Sequence, residues 1–131
     1  NNFYTATIYE KGAEVIRMLQ TLLGKNGFDK GIELYIKTFN AKAVGTKDFI
    51  WAMQKANDYD LTLFSKWYDN VGTPILTINS DYEKNDLIIS IEVSQDLYMP
   101  FNIGILDNNG CDIVNETIIL NGKKNKFIFE N

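Results

Sequence analysis

The chain has 131 residues, 45% of them hydrophobic and 13% aromatic, which is enough for one ordinary domain or two small units with a real core. No apolar run approaches the roughly 18 residues that a membrane-spanning helix needs, so no membrane partner is expected. A net charge of -4 leaves no basic surface of the kind that neutralises phosphates, and no nucleic-acid partner is expected either.

The first part of the chain reads as helical. Apolar residues return at intervals of three and four, first as Val15, Ile16, Leu19, Leu22 and Leu23, and then as Phe28, Ile32, Tyr35, Ile36 and Phe39. Gly24 closes the first of these helices. Thr46 as N-cap, with Asp48 in the first turn, announces a third helix that turns Phe49, Met53 and Ala56 inward. A fourth follows Asp60 with Leu61, Phe64, Trp67 and Tyr68. At Val71-Gly72-Thr73-Pro74 the period changes, because Pro74 cannot continue a helix and the residues beyond it alternate. Short strands follow at 75–78, 87–93, 101–106, 117–120 and 126–129, with turn signals at Lys84-Asn85-Asp86, Asn108-Asn109-Gly110 and Asn121-Gly122. The expected fold is α+β, a four-helix segment over residues 1–72 followed by antiparallel strands over residues 73–131.

Few residues offer chemistry. Hydrolytic triads and zinc sites mostly rest on imidazole, and the chain has no histidine, so it supplies neither that base nor that ligand. The single cysteine, Cys111, rules out an internal disulfide and reads as a strand or turn residue; a reducing compartment fits it best, and a cytoplasmic location is expected. Asp107-Asn108-Asn109-Gly110 has its glycine too early for an EF-hand loop and reads as a hairpin turn. Trp67 falls at core spacing with Phe64, Trp51 reads as half-exposed, and Arg17 as a lone surface charge. The residues Asn1-Asn2-Phe3-Tyr4 show no charged n-region and no apolar h-region, so the chain reads as a processed or excised segment.

Tyr9 differs in kind. Periodicity places it one turn before Ala13 and Ile16, a core position. Yet Tyr9-Glu10-Lys11-Gly12-Ala13, continuing Glu14-Val15-Ile16-Arg17-Met18-Leu19, resembles the catalytic-tyrosine segment of the aminopeptidase N family of zinc metallopeptidases. The likeness runs on through Leu22-Leu23-Gly24, Phe28, Gly31, Tyr35, Thr46, Asp48-Phe49, Ala52-Met53, Asp60-Leu61, Trp67-Tyr68 and Gly72-Thr73-Pro74, in the family's order. Asn1-Asn2-Phe3-Tyr4 is similar to the bacterial branch.

The resemblance implies that residues 1–72 are the end of a thermolysin-like catalytic domain and residues 73–131 part of a β-sandwich domain, incomplete here. It implies that Tyr9 donates its phenolic hydrogen bond to the oxyanion formed as water attacks the scissile carbonyl, with Tyr4 in a supporting role. Zinc is the implied cofactor of the intact parent, held by a His-Glu-x-x-His helix and a later Glu that precede the tyrosine; this chain carries no metal ligands of its own and is expected to be inactive alone. Peptides are the implied substrates. Glu10 and Lys11 read as structural pairing and Gly12 as a site of close helix packing, and the Gln95-Asp96 join is tighter than in many bacterial members, which leaves two readings, a natural short loop or a point where residues are left out. An uncovered sheet edge and apolar face are expected to favour self-association, with Ile8, Val15 or Ile36 losing burial. A free-standing, non-catalytic binding module is the alternative; a His-Glu-x-x-His helix upstream in the same reading frame separates the two.

Overall fold

The computed structural model describes the backbone of residues 2–130 and the side chains of residues 9–130. Among the described residues three helices are followed by five strands: α1 (Asn2–Phe39), α2 (Thr46–Asn57), α3 (Lys66–Asp69), β1 (Leu76–Glu83), β2 (Asp86–Val93), β3 (Tyr98–Leu106), β4 (Asp112–Asn121) and β5 (Lys124–Phe129). They form two compact units, residues 1–68 and residues 69–131.

In the first unit α1 is not one rod. Its backbone leaves the helical region at Gly24, with φ 69° and ψ 166°, a combination essentially confined to glycine. In a straight helix rising 1.5 Å per residue, Gly12 and Tyr35 would stand about 35 Å apart. Instead Gly12, Ile16 and Tyr35 line one small depression, so the chain folds back at Gly24 into a helical hairpin. The first two expected helices are thus the arms of one broken element. Val15 and Leu19, one turn apart, are buried under the first arm at 2% and 0% exposure, so the expected loss of burial at Val15 does not occur. Ile36 is 58% exposed: it lies one residue beyond the row Gly27, Gly31, Tyr35 and is therefore turned about 100° away from it.

That row meets α2. A Cβ at Gly31 would collide with the Met53 sulfur and stand 3.2 Å from the Met53 Cα, and one at Gly27 would stand 2.5 Å from the Asn57 Oδ1. Asn57 fastens the contact by donating from Nδ2 to the Gly27 carbonyl and to the Met53 carbonyl, both at 2.9 Å. Close packing therefore belongs to Gly27 and Gly31. Gly12 has nothing within 4 Å of the place its Cβ would take, which corrects the role expected for it.

The N-cap of α2 is Gly45, not Thr46. Asp48 decides this by reaching back three residues: its carboxylate accepts the Gly45 N–H at 2.8 Å while its own N–H donates to the Gly45 carbonyl at 3.1 Å. The expected fourth helix shrinks to α3. Leu61, Phe64 and Trp67, all buried, recur every three residues, and the bonds Trp67 N–H to Phe64 carbonyl (3.1 Å) and Tyr68 N–H to Ser65 carbonyl (3.0 Å) have the tighter three-residue reach. That repeat favours a wound turn over a regular α-helix. With the first two expected helices joined in α1, the described residues hold three helices rather than four.

The second unit holds two antiparallel sheets, one in the order β1-β2-β5 and one pairing β3 with β4. Glu83 pairs with Asp86 across a two-residue turn in which Lys84 (φ 50°) and Asn85 (φ 80°) are both left-handed, the arrangement that matches strand twist. Ile89, Ile91 and Val93 from one sheet and Ile118 and Leu120 from the other form one buried cluster, with Leu76, Phe101, Ile103 and Phe127 packed against it. The β2–β3 connection is tied on both sides of Gln95-Asp96: Ser94 exchanges bonds with Ile75, at 2.9 Å from its N–H and 2.8 Å to its Oγ, and the Leu97 carbonyl accepts the Gly122 N–H at 2.8 Å. Cys111 is exposed, beyond the β3–β4 turn.

Candidate active site

Tyr9 stands on the first arm of α1, six residues before Val15. Its side chain is 75% exposed, against the core position that periodicity alone assigns to it. The stripe it begins is continued by Gly12 and Ile16, and these two turn into an apolar depression of about 360 Å³ shared with Tyr35, Gly45, Thr46, Phe49 and Tyr68. Aromatic rings build much of its wall. The Tyr35 ring meets Phe49 edge-on at 5.5 Å and Phe39 at 5.6 Å, and Phe39 in turn meets Trp51 edge-on at 5.8 Å, which leaves Trp51 at 45% exposure. Burial holds the Tyr68 phenol above its ordinary pKa, so it stays protonated as a hydrogen-bond donor to a higher pH than a free phenol.

Tyr4 lies on α1 with Tyr9, and its side chain is outside the described residues, as is that of Ile8. Glu10 is exposed and Lys11 half-buried. Histidine is absent from the sequence, and among the described residues no three His, Cys, Asp or Glu side chains gather closely enough to hold a metal ion. Asp107 is spent within its own turn: its Oδ1 accepts the Asn109 and Cys111 N–H groups, both at 2.8 Å, and these bonds hold its carboxyl below the ordinary pKa of 3.8. Two features of the helical unit went unread in the sequence, the depression beside Tyr35 and the glycine pair that seats α2. The four-residue spacing of Gly27 and Gly31 was the signal for the second.

Residues 1–68 match the Peptidase family M1 domain. The chain belongs to peptidase family M1. Over 122 residues it is 45% identical to "Aminopeptidase N" of Haemophilus influenzae, covering 84% of this chain and 14% of that protein. With "Aminopeptidase N" of Escherichia coli it shares 38% identity over 151 positions, covering 100% of this chain and 17% of that one; since this chain has 131 residues, the relative carries additional residues inside the matched stretch. Among solved structures, aminopeptidase A of Legionella pneumophila in complex with aspartic acid superposes with a TM-score of 0.90 at 28% identity, over 98% of this M1 chain and 16% of that one. The M1 chain thus spans about a sixth or less of the length of these relatives. No helix among its described residues is long and apolar enough to cross a membrane.

Proposed function

We propose that this chain is part of a cytoplasmic zinc aminopeptidase that removes N-terminal amino acids from peptides, and that Tyr9 is its contribution to the chemistry. The observation that carries the reading is the exposure of Tyr9: a phenol at the head of an apolar stripe, on an arm seated by buried Val15 and Leu19, faces solvent at 75%. A phenol that this chain leaves largely uncovered, in a chain of this family, suits an oxyanion donor. Its Oη donates a hydrogen bond to the carbonyl oxygen as water adds to the carbonyl carbon and negative charge gathers on that oxygen; the bond is worth most at that moment because the charge is then largest. A neutral phenol does this without a base beside it. Tyr4 supports it from the same helix.

Zinc, on this reading, is held by residues of the longer protein and not by these 131. Residues 1–72 act as the helical end of its catalytic domain and residues 73–131 as part of a β-sandwich domain. The chain by itself is inactive, takes no nucleic acid or membrane as partner, and self-associates through its open β1 edge, where Ile78 and Tyr82 are 51% and 73% exposed. In the full-length protein Tyr9→Phe should lower kcat by about two to three orders of magnitude with little change in KM. A variant that keeps half its kcat would show that Tyr9 is not the oxyanion donor and that the role carried over from the family is wrong. Metal analysis of the dialysed chain adds a second check: one tightly held zinc per chain would overturn the division of labour.

A further inference from the structure

We propose that Asn109 is a site of self-modification, where the chain's own backbone converts a side-chain amide into an acid, and that the Asp107 carboxylate sets how fast this happens. Three Asn-Gly pairs occur in the sequence, Asn26-Gly27, Asn109-Gly110 and Asn121-Gly122. In such a pair the glycine nitrogen approaches the asparagine side chain unhindered, because glycine has no Cβ to stand in the way. At Asn109 the Gly110 nitrogen gives its proton to solvent and attacks Cγ; the bond from Cγ to Nδ2 breaks, and ammonia leaves after taking a proton back from water. Water then opens the cyclic imide at either carbonyl, leaving a carboxylate side chain or an isoaspartyl link, with nothing oxidised or reduced.

The peptide plane between the two residues must rotate until nitrogen meets Cγ, and the three pairs differ in what that rotation undoes. At Asn26 it undoes part of α1, whose backbone is helical there, and strains the 2.9 Å bond that Asn57 makes to the Gly27 carbonyl. At Asn121 it breaks the 2.8 Å bond from the Gly122 N–H to the carbonyl of Leu97, a residue 1% exposed. At Asn109 the bonds at stake lie within residues 107–111: the Gly110 N–H donates to the Asp107 carbonyl at 3.0 Å and the Asp107 N–H to the Cys111 carbonyl at 2.9 Å. Opening one turn costs less than opening a helix or a packed connection, so Asn109 is the pair that reacts first. Asp107 is the lock on that turn. Its Oδ1 accepts N–H groups on both sides of the Asn109-Gly110 peptide, from Asn109 and from Cys111, each at 2.8 Å, which keeps the plane from rotating. Its Oδ2 lies 3.5 Å from the Asn109 Nδ2. The product turns that contact against the fold: a carboxylate at position 109 repels Asp107, and an isoaspartyl link lengthens the backbone inside a closed turn. Conversion therefore loosens the tip of the β3–β4 hairpin and marks an aged chain.

The test is peptide mapping by mass spectrometry of the full-length protein held in mildly alkaline buffer, comparing wild type, Asp107→Ala and Asp107→Asn. In the wild type Asn109 should convert before Asn26 and Asn121. Asp107→Ala should quicken conversion at Asn109 by about tenfold, through loss of the two bonds to Oδ1, while the other two pairs keep their rates. Asp107→Asn, whose amide oxygen still accepts both N–H groups, should stay within about threefold of the wild type. An unchanged rate at Asn109 in Asp107→Ala, or earlier conversion at Asn26 or Asn121 in the wild type, overturns the proposal. A rise at all three pairs together overturns it too, since Asp107 would then hold the fold as a whole rather than its own turn.

Discussion

The helical and β units spend their glycines differently. In residues 1–68, Gly27 and Gly31 let two helices touch and Gly24 turns one of them back. In residues 69–131, Gly72, Gly110 and Gly122 have positive φ in turns and connections, and no backbone presses on them within 3 Å. Small residues in the first unit set contact and direction between long elements, so errors there propagate along a helix. In the second they set local reversals, and errors stay in the turn.

The largest effects should come from each unit's own core. Phe64→Ala should cost about 3–5 kcal/mol and Leu120→Ala about 2–5 kcal/mol, read as lost hydrogen-exchange protection in the amides of the same unit. A cost below about 1 kcal/mol at either site would mean that its unit is held by something other than the buried residues found here. Gly31→Ala comes next, at about 1–3 kcal/mol, because the new methyl must displace Met53; chemical denaturation measures it. If it proves neutral, α2 can slide off the glycine row and the contrast between the units weakens.

Gly12→Ala should go the other way, raising the chain's stability by about 0.5–1 kcal/mol, since the position is helical and open. Smallest and most local is the response of the β3–β4 turn to acid. The folded pKa of Asp107 is depressed, so its bonds are fully present above the ordinary 3.8 and are lost as pH falls through the lower folded value. Amide exchange at Asn109 and Cys111 should quicken below about pH 4, with the strands on either side unchanged. Asp107→Ala should give the same loosening at neutral pH.

Much of this was legible in the sequence because it depends on local chemistry. Pro74 and the change of period mark where helices give way to strands, Asn85 and Gly110 sit in the turns their types require, and Gly24 breaks the helix where the apolar pattern pauses. The Tyr9 segment stood out by its residues, not by its period, and its exposure could not be read from a stripe that continues into Gly12 and Ile16. What the sequence hid depends on partners. Gly45 became the N-cap only because Asp48 reaches back to it, and the stretch after Asp60 tightened because its apolar residues fall every third position. Ile36 looked inward until the Gly27–Gly31 row fixed which side of the second arm faces α2.

The pairing of β2 with β5 has a consequence for the order of assembly. Between Glu92, the last paired residue of β2, and Lys124, its opposite on β5, the chain runs through the whole of β3 and β4. Closing that excursion costs loop entropy that neither the β1–β2 nor the β3–β4 hairpin has to meet, each being joined by a short turn. The two hairpins can therefore zip independently and early, while β5 must wait for both, docking along an edge of β2 that stays open until it arrives. The helical hairpin, whose arms meet through a single residue, faces no such wait. A nascent chain emerging from the ribosome would thus form its helical hairpin well before β5 docks on β2.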